Sequence, residues 1–543
     1  MQVEFPGVRR VVGALAFVFL GACSGGGGND SARNIHLSTS SLAFNATATD
    51  TSAPAPQVVT VTFSEGVTNI TALHTGSAID RVDVALNGTS AQLTVVPASP
   101  TAIGAGAFRG TIAVTAYFCG DANCSRLEAG ATQAINTSYQ VSPVVNEVAP
   151  KVAVAGTEGT AIIRGVGLQG FAVQGVRFGS TAATEKTDTS GTEIRAKFPA
   201  LTAGSYPVTL DIPTHTGPIT STATLVVVDP VTHAAQALAW PGAVTAVYSL
   251  EYDALRGAVF AATDTGGGQI VRYAYASGAW QPATSVSIAN LKDATLTTDA
   301  AQILAITTTA VTPIDAATLA LGTPVAAPSM PENSFLKTIA MMNTNQALIT
   351  TGIASSTSTP VYAYTVRGGT LVQLSTVLDN ATARSSANGA TVALIQGDPT
   401  LTTAPVFYSA SASTGLISAT AISLNQNAVP PAIDRDSTRL VLNGTNVYKG
   451  DSTLLGKLPD TTAGAVLRPD GKRVYTYDTA VNAVRVFDVS ADTASDQALT
   501  PLGDPVPLAA APGSAIRMTI TPDANTLFIA GSTQLVVQPT PAL

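Results

Sequence analysis

Between residues 35 and 144, apolar and polar positions alternate in short runs rich in Val, Thr and Ile, and Pro, Gly, Asn and Ser interrupt them. Alternation at period two puts every second side chain on one face of an extended chain, so each run reads as a strand. Gln57–Phe63 (QVVTVTF) is a clear case. The runs 82–86 and 91–96 flank Asn87-Gly88, a pair that readily adopts the positive φ of a tight hairpin turn. Residues 110–117 and 138–141 supply further strands, and the pattern predicts a β-sandwich over 34–144. The segment 145–229 follows the same logic. Ile162 and Ile163 fall in a strand that runs into Gly165 and Gly167, and Phe178 is placed to fill a core just before a turn at Gly179.

From residue 230 to 543 a longer repeat takes over. Its unit is a short apolar strand, a turn on Asp or Asn, a Val/Ile/Leu strand, a second turn and a third strand. Tyr252-Asp253 with 258–261 and 270–273 is one copy, and 468–475 with 484–487 is another. The turn anchors Asp253, Asp299, Asn343, Asn388, Asp436, Asp470 and Asp523 are spaced by 46, 44, 45, 48, 34 and 53 residues. Seven units of roughly 45 residues match the blades of a β-propeller, although the fifth and sixth are irregular in length. The last unit has strands near 516–520, 527–530 and 535–538 and then stops one strand short. The run 235–240, ahead of the first anchor, is placed to provide that outer strand and close the ring.

Composition narrows the classes. At about 150 residues per domain, 543 residues imply three to four domains. With 45% hydrophobic and 11% charged residues the chain is not globally disordered. It has 27 Lys and Arg against 35 Asp and Glu, a net charge of -8, and no basic run, which argues against a nucleic-acid partner.

The N-terminal residues read as an address. Arg9 and Arg10 precede an apolar run over 11–20 that is too short to span a bilayer, and Leu20-Gly21-Ala22-Cys23 follows. These four residues resemble the lipobox of bacterial lipoproteins. That resemblance implies a signal peptide over 1–22 and an acylated Cys23 as first residue of the mature chain, with 23–33 a glycine-rich tether. Ser24 stands where an Asp would commonly retain such a protein at the inner membrane, so the expected location is the outer membrane of the cell envelope, facing periplasm or medium. Of the three cysteines, Cys119 and Cys124 remain, an even pair in an oxidising compartment with turn residues between them. A disulfide is expected there; a metal site would need ligands that are not nearby.

Further resemblances set the domain plan. The Ser40-Ser41-Leu42-Ala43-Phe44 opening and strand spacing of 34–144 are similar to the immunoglobulin-like modules of bacterial surface lipoproteins. Residues 145–229 resemble the IPT/TIG immunoglobulin-like fold through Pro150, Gly156, Gly159, the stretch 162–168, Val176-Arg177-Phe178-Gly179, Thr192-Glu193-Ile194, Pro199 and Gly204-Ser205-Tyr206-Pro207-Val208. The unit pattern of 230–543 resembles the seven-bladed YVTN-type propellers of exported bacterial proteins, without the tetrapeptide itself. The expected fold class is therefore all-β, two immunoglobulin-like sandwiches followed by a seven-bladed propeller.

Candidate chemistry is sparse. The four histidines, His36, His74, His215 and His233, all precede the first propeller anchor, so no His-based active site is expected in the propeller. Gly450-Asp451-Ser452 through Gly456-Lys457 has five residues between its glycines where a phosphate loop has four, and Leu458 where Ser or Thr should follow. It reads as the connection between two outer strands of a blade. Asp434-Arg435-Asp436 lacks the glycine and distal glutamate of an EF-hand loop and reads as a turn anchor. Trp240 and Trp280, the only tryptophans, read as packing residues. No catalytic, cofactor-binding or metal-ligating residue is assigned, and no cofactor is expected.

Two functions follow. One is a non-catalytic envelope lipoprotein held to the membrane by its lipid anchor, with two sandwich spacers and a propeller that presents a face to an unknown protein or glycan ligand. The alternative is a propeller enzyme using the central channel, since relatives of this propeller class include lactonases and quinoproteins. Acidic and arginine side chains gathered at the channel mouth would mark the enzyme, and a broad apolar or aromatic patch on one face would mark the binder.

Overall fold

The computed structural model describes residues 34–121, 123, 125–168, 175–211, 218–328, 330–353, 359–378, 380–395, 406–411, 417–423, 431–442 and 444–542. Cys23, the signal peptide and the tether lie outside the described residues, as do Cys124 and His215. The chain forms two compact units. One draws on residues up to Phe44, Ala53–Ala98 and Phe108–Tyr139; the other on Asn45–Ser52, Ser99–Ala107 and Gln140–Leu543.

The N-terminal region is built from two four-stranded sheets. One orders Ile35–Leu37, Gln57–Phe63, Ser90–Pro97 and Ile79–Asn87; the other orders Ser41–Thr47, Leu127–Ser142, Gly106–Cys119 and Val67–His74. The alternation read from the sequence is the burial pattern observed: Val59 and Val61 are fully buried, as are Ile112, Val114 and Ala116. The hairpin at Asn87-Gly88 forms with Leu86 opposite Ala91, and Gly88 takes φ +60°.

The second sandwich pairs a sheet of Glu185–Ser190, Glu193–Phe198, Gly159–Val166 and Val144–Ala149 with a sheet of Val152–Val154, Ile219–Val228, Gly204–Leu210, Val176–Phe178 and Thr181–Ala182. Ile163, Phe178, Ile194, Val208 and Leu225 are fully buried in one core. Gly167 and Gly179 take positive φ at the strand ends where the sequence placed them. The Tyr206 hydroxyl donates to the Thr202 carbonyl at 2.8 Å, tying a strand back to the loop before it.

Seven sheets among the described residues form the propeller. The innermost strands, here blades 1 to 7, are Val247–Asp253, Asp293–Leu296, Ser334–Met342, Thr382–Ser385, Ala432–Ile433, Thr462–Leu467 and Arg517–Ile520. Each touches the next, and blade 7 touches blade 1, so the ring is closed. The closing strand is Gln236–Ala239, which pairs antiparallel with Gln534–Pro539 and sets Leu238 opposite Leu535. Leu238 packs there with Val247, Val259, Phe528 and Val537.

All seven anchors lie in or beside the turn between the first and second strands of successive blades. In blades 2, 4 and 7 a hydroxyl two residues ahead builds the turn. Thr297 Oγ1 donates to Asp299 at 2.6 Å and accepts the Gln302 amide at 3.0 Å; Ser386 serves Asn388 and Thr391 in the same way, and Thr521 serves Asp523 and Thr526. The short 34-residue interval, from Asp436 to Asp470, reflects the three four-residue strands that follow in blade 5, Arg439–Leu442, Asn446–Lys449 and Leu454–Lys457. The long 53-residue interval reflects residues 489–505 of blade 6, which run back along blade 5, where Leu499 N donates to Lys457 O and Lys457 N to Gln497 O. Residues 450–453 connect the third and fourth strands of blade 5, so the phosphate-loop likeness is a blade turn.

One expectation changes. The second sandwich is not a free spacer: it belongs to the same compact unit as the propeller. Arg164 Nη2 donates to Asn343 Oδ1 at 3.2 Å, Arg367 Nη2 to the Asn146 carbonyl at 2.8 Å, and the Lys151 amide to the Thr298 carbonyl at 3.3 Å. The blade turns that the anchors build are the surface on which the sandwich rests.

Candidate functional site

The inner strands bound a central channel. At the blade-turn end, a cavity of about 240 Å³ is lined by Glu251, Thr295, Ile339, Met341, Arg384 and Thr519, and Pro150 and Val152 of the second sandwich stand at its mouth. The inner strands begin at the opposite end of the channel.

Four charged side chains from four blades meet in the channel wall. Asp293 begins the inner strand of blade 2 and is 1% exposed. Its Oδ2 accepts Arg384 Nη1 of blade 4 at 3.0 Å and the Ile339 amide of blade 3 at 3.1 Å, while Oδ1 accepts the Ala294 amide at 3.0 Å. Arg384 Nη2 donates to the Tyr248 carbonyl of blade 1 at 3.1 Å, and Arg517 Nε of blade 7 donates to that same oxygen at 3.0 Å. Arg517 Nη1 donates to the Ile516 carbonyl at 2.9 Å. Two guanidinium groups thus converge on one neutral acceptor, and only one of them has a carboxylate partner among the described residues.

Electrostatics follow from depth. Loss of hydration pushes the Glu251 carboxyl up to about 7, with Arg384 opposing and Asp293 adding to the shift, and a hydrogen bond to Thr295 opposing. Glu251 faces the lumen and is half-buried at its surface. Loss of hydration and the neighbouring Arg384 bring Arg517 down to about 10, with Asp293 opposing, so it remains a cation at neutral pH. The arrangement can hold an anionic group, and a carboxyl near 7 can give or take a proton.

A second cleft, of about 300 Å³, lies where the second sandwich meets blades 1 and 7, lined among others by Val228, His233, Tyr252, Tyr275 and Asp523. His233 is 1% exposed and sits among the rings of Tyr275, Trp280, Tyr252 and Phe528, at centroid distances of 4.4, 4.8, 6.0 and 5.9 Å. Its Nε2 lies 3.2 Å from the Tyr252 hydroxyl, and burial holds its pKa below the usual histidine value against the opposing charge of Asp523. His233, although ahead of the first anchor, is therefore packed into the propeller. It stands three residues before the closing strand Gln236–Ala239 of blade 7.

The other sequence candidates fall as follows. His36 and His74 are exposed on strands of the first sandwich. Cys119 ends the strand Gly106–Cys119, and its expected pairing with Cys124 lies outside the described residues. Trp240 and Trp280 pack on the core of blades 1 and 7, as expected. Among the described residues no cluster of three metal-ligating side chains occurs.

Glu251, Asp293, Arg384 and Arg517 were not singled out from sequence. Their signal was available: each is a charged residue within six positions ahead of an anchor, in a chain with only 11% charge. Of the two signs set out for function, the one set for the enzyme, acids and arginines at the channel, is present. Exposed large apolar side chains in the described propeller, Val231, Leu321, Val372 and Val481, are distributed over different blades.

No protein-family model and no curated protein matches the chain. Among solved structures it is similar to an auxiliary nutrient binding protein from Bacteroides ovatus ATCC 8483, at 12% identity over 74% of this chain and 98% of that one, with a TM-score of 0.36. It is also similar to the WD40 repeats of RRP9, at 10% identity over 57% of this chain and 99% of that one, TM-score 0.41, and to U3-55K, at 11% identity over 57% and 100%, TM-score 0.41. The propeller itself is established by its own strand pairing and ring closure.

Proposed function

We propose that this chain is a lipid-anchored envelope protein that binds a small ligand in its propeller channel without transforming it. The carrying observation is how the channel charges are held. The acids and arginines set out as the enzyme's sign are gathered here, but Asp293 is taken up by Arg384 and two main-chain amides, so it braces the ring instead of offering a free base, while Arg384 lines the channel cavity. The second sandwich, read as an IPT/TIG module, contributes Pro150 and Val152 to the lining of that cavity. Acylation at Cys23 and a Cys119–Cys124 disulfide complete the reading, both suited to an exported protein.

Intact mass of membrane-extracted protein tests the anchor and the disulfide together: a chain beginning at Cys23 with acyl mass and two fewer hydrogens is expected. Protease shaving of whole cells then assigns the propeller to periplasm or medium. Binding is tested by incubating the purified protein with a polar metabolite extract and analysing what it retains. A metabolite retained unchanged supports the reading; one consumed, with a product appearing, overturns it.

The second reading is a channel enzyme, favoured by the Glu251 carboxyl near 7. It predicts a product in the same incubation and loss of that product in Glu251→Gln.

A further inference from the structure

Resting on the channel-binding reading, we infer that the ligand is held through a small oxyanion, a carboxylate or a phosphate, received by Arg517 with Arg384 beside it.

The argument begins with charge balance. The groups facing this part of the channel are Glu251 of blade 1, Asp293 of blade 2, Arg384 of blade 4 and Arg517 of blade 7; Lys337 of blade 3 is turned to the Asn380 carbonyl. Asp293 neutralises Arg384. Glu251 bonds Thr295 and, with its carboxyl pushed up to about 7 by loss of hydration, carries only part of a charge at neutral pH. Arg517 is left with two main-chain carbonyls as its acceptors among the described residues. A guanidinium offers five N–H groups, so three are left for an acceptor that the protein does not provide. An unpaired cation set into a protein wall is costly unless something answers it.

Geometry adds direction. Nε and Nη1 of Arg517 are fixed by Tyr248 and Ile516, which orients the planar group and spares its remaining edge. The shared Tyr248 carbonyl holds Arg384 alongside, so an oxyanion at that edge meets two cations whose positions are already set. Such pre-set, forked donors favour two-oxygen acceptors. Arg517 begins its inner strand, while Arg384 lines the cavity that Pro150 and Val152 also line, so the paired cations sit within the channel between its two ends.

The test is calorimetric titration of the full acylated chain in detergent with sodium acetate and, separately, inorganic phosphate, against chloride at equal ionic strength, at pH 6 and pH 8. Saturable binding of one oxyanion, tighter at pH 6 where Glu251 is uncharged, is expected; the anion that binds more tightly identifies the ligand group. Arg517→Gln should weaken it about tenfold or more, the loss of a charged hydrogen bond. Should that variant not fold, Arg517→Lys, which keeps the charge and loses the fork, is expected to bind more weakly than wild type. Absence of saturable binding by wild type, or unchanged affinity in a folded Arg517 variant, overturns the inference. A neutral metabolite retained equally by wild type and Arg517→Gln would overturn it while leaving the channel-binding reading intact.

Discussion

Arg384 Nη1 lies 3.0 Å from Asp293 Oδ2, two blades away around the ring, and the same oxygen takes the Ile339 amide at 3.1 Å from the blade between them. One buried carboxylate thereby links three consecutive inner strands. Removing it takes the carboxylate from one cation and two main-chain amides in the wall. Asp293→Ala is expected to cost about 3 kcal/mol in urea unfolding, because breaking one side of a buried pair strands the other. Asp293→Ala with Arg384→Met should cost less than Asp293→Ala alone, since no charge is then left unpaired.

Glu251 gives the channel a pH dependence. Its folded pKa, about 7, lies above the unfolded value of 4.5, so its contribution to stability is fully present below pH 4.5 and is lost as pH rises through 7. Replacing it with Gln removes the titrating group. Melting temperature followed from pH 5 to pH 8 should fall less in Glu251→Gln than in wild type, with the variant the more stable of the two at pH 8.

The repeat was legible because each blade turn needs a side-chain acceptor at one place. Asp299, Asn388 and Asp523 each accept the backbone amide two residues on, and that local demand writes the same residue types at the same spacing. The closing strand was legible for a similar reason, since a unit one strand short needs a partner of matching pattern. The position of the channel charges ahead of the anchors was legible, but their meeting was not. Asp293 and Arg384 are 91 residues apart and meet only because the ring curves. The docking of the second sandwich was equally hidden, because Arg164 answers Asn343, a partner 179 residues away.

Arg164 is the pin of that docking. It meets Glu193 at 3.2 Å and Glu147 at 3.9 Å within the sandwich, and Asn343 at the end of the blade 3 inner strand. Asn343→Ala removes this one of the three named contacts with the propeller, together with the Asn343 Nδ2 bond to the Asn388 carbonyl, while keeping both acids paired. It should leave each fold intact and raise the rate of limited proteolysis in residues 229–235, the link between sandwich and propeller. Arg164→Ala should be more damaging, about 3 kcal/mol, because Glu147 loses the cation beside it and Glu193 keeps only Arg195.

His233 should make the sandwich-propeller link acid-sensitive. Burial among aromatic rings depresses its pKa below 6.5, so the stability it contributes is present above pH 6.5 and is lost as pH falls. His233→Phe keeps a ring in the aromatic socket and removes the proton site. Stability measured from pH 7 down to pH 5 should decline less in this variant.

Ring closure rests on four residues drawn from the start of the propeller, and Leu238 is the apolar side chain that seats them. It is 6% exposed and packs on Phe528 and Leu535. Leu238→Ala should destabilise the propeller by about 3 kcal/mol, the transfer and cavity cost of a core leucine. Leu321, 52% exposed on blade 2, is the matched control and should change stability by less than about 0.5 kcal/mol when replaced by Ala. If the strand acts as a latch, hydrogen exchange in Leu238→Ala should rise first in Gln236–Ala239 and its partner Gln534–Pro539, ahead of blades 2 to 5. Uniform loss of protection around the ring would mean that closure and folding are one event and that no blade survives the opening of the last.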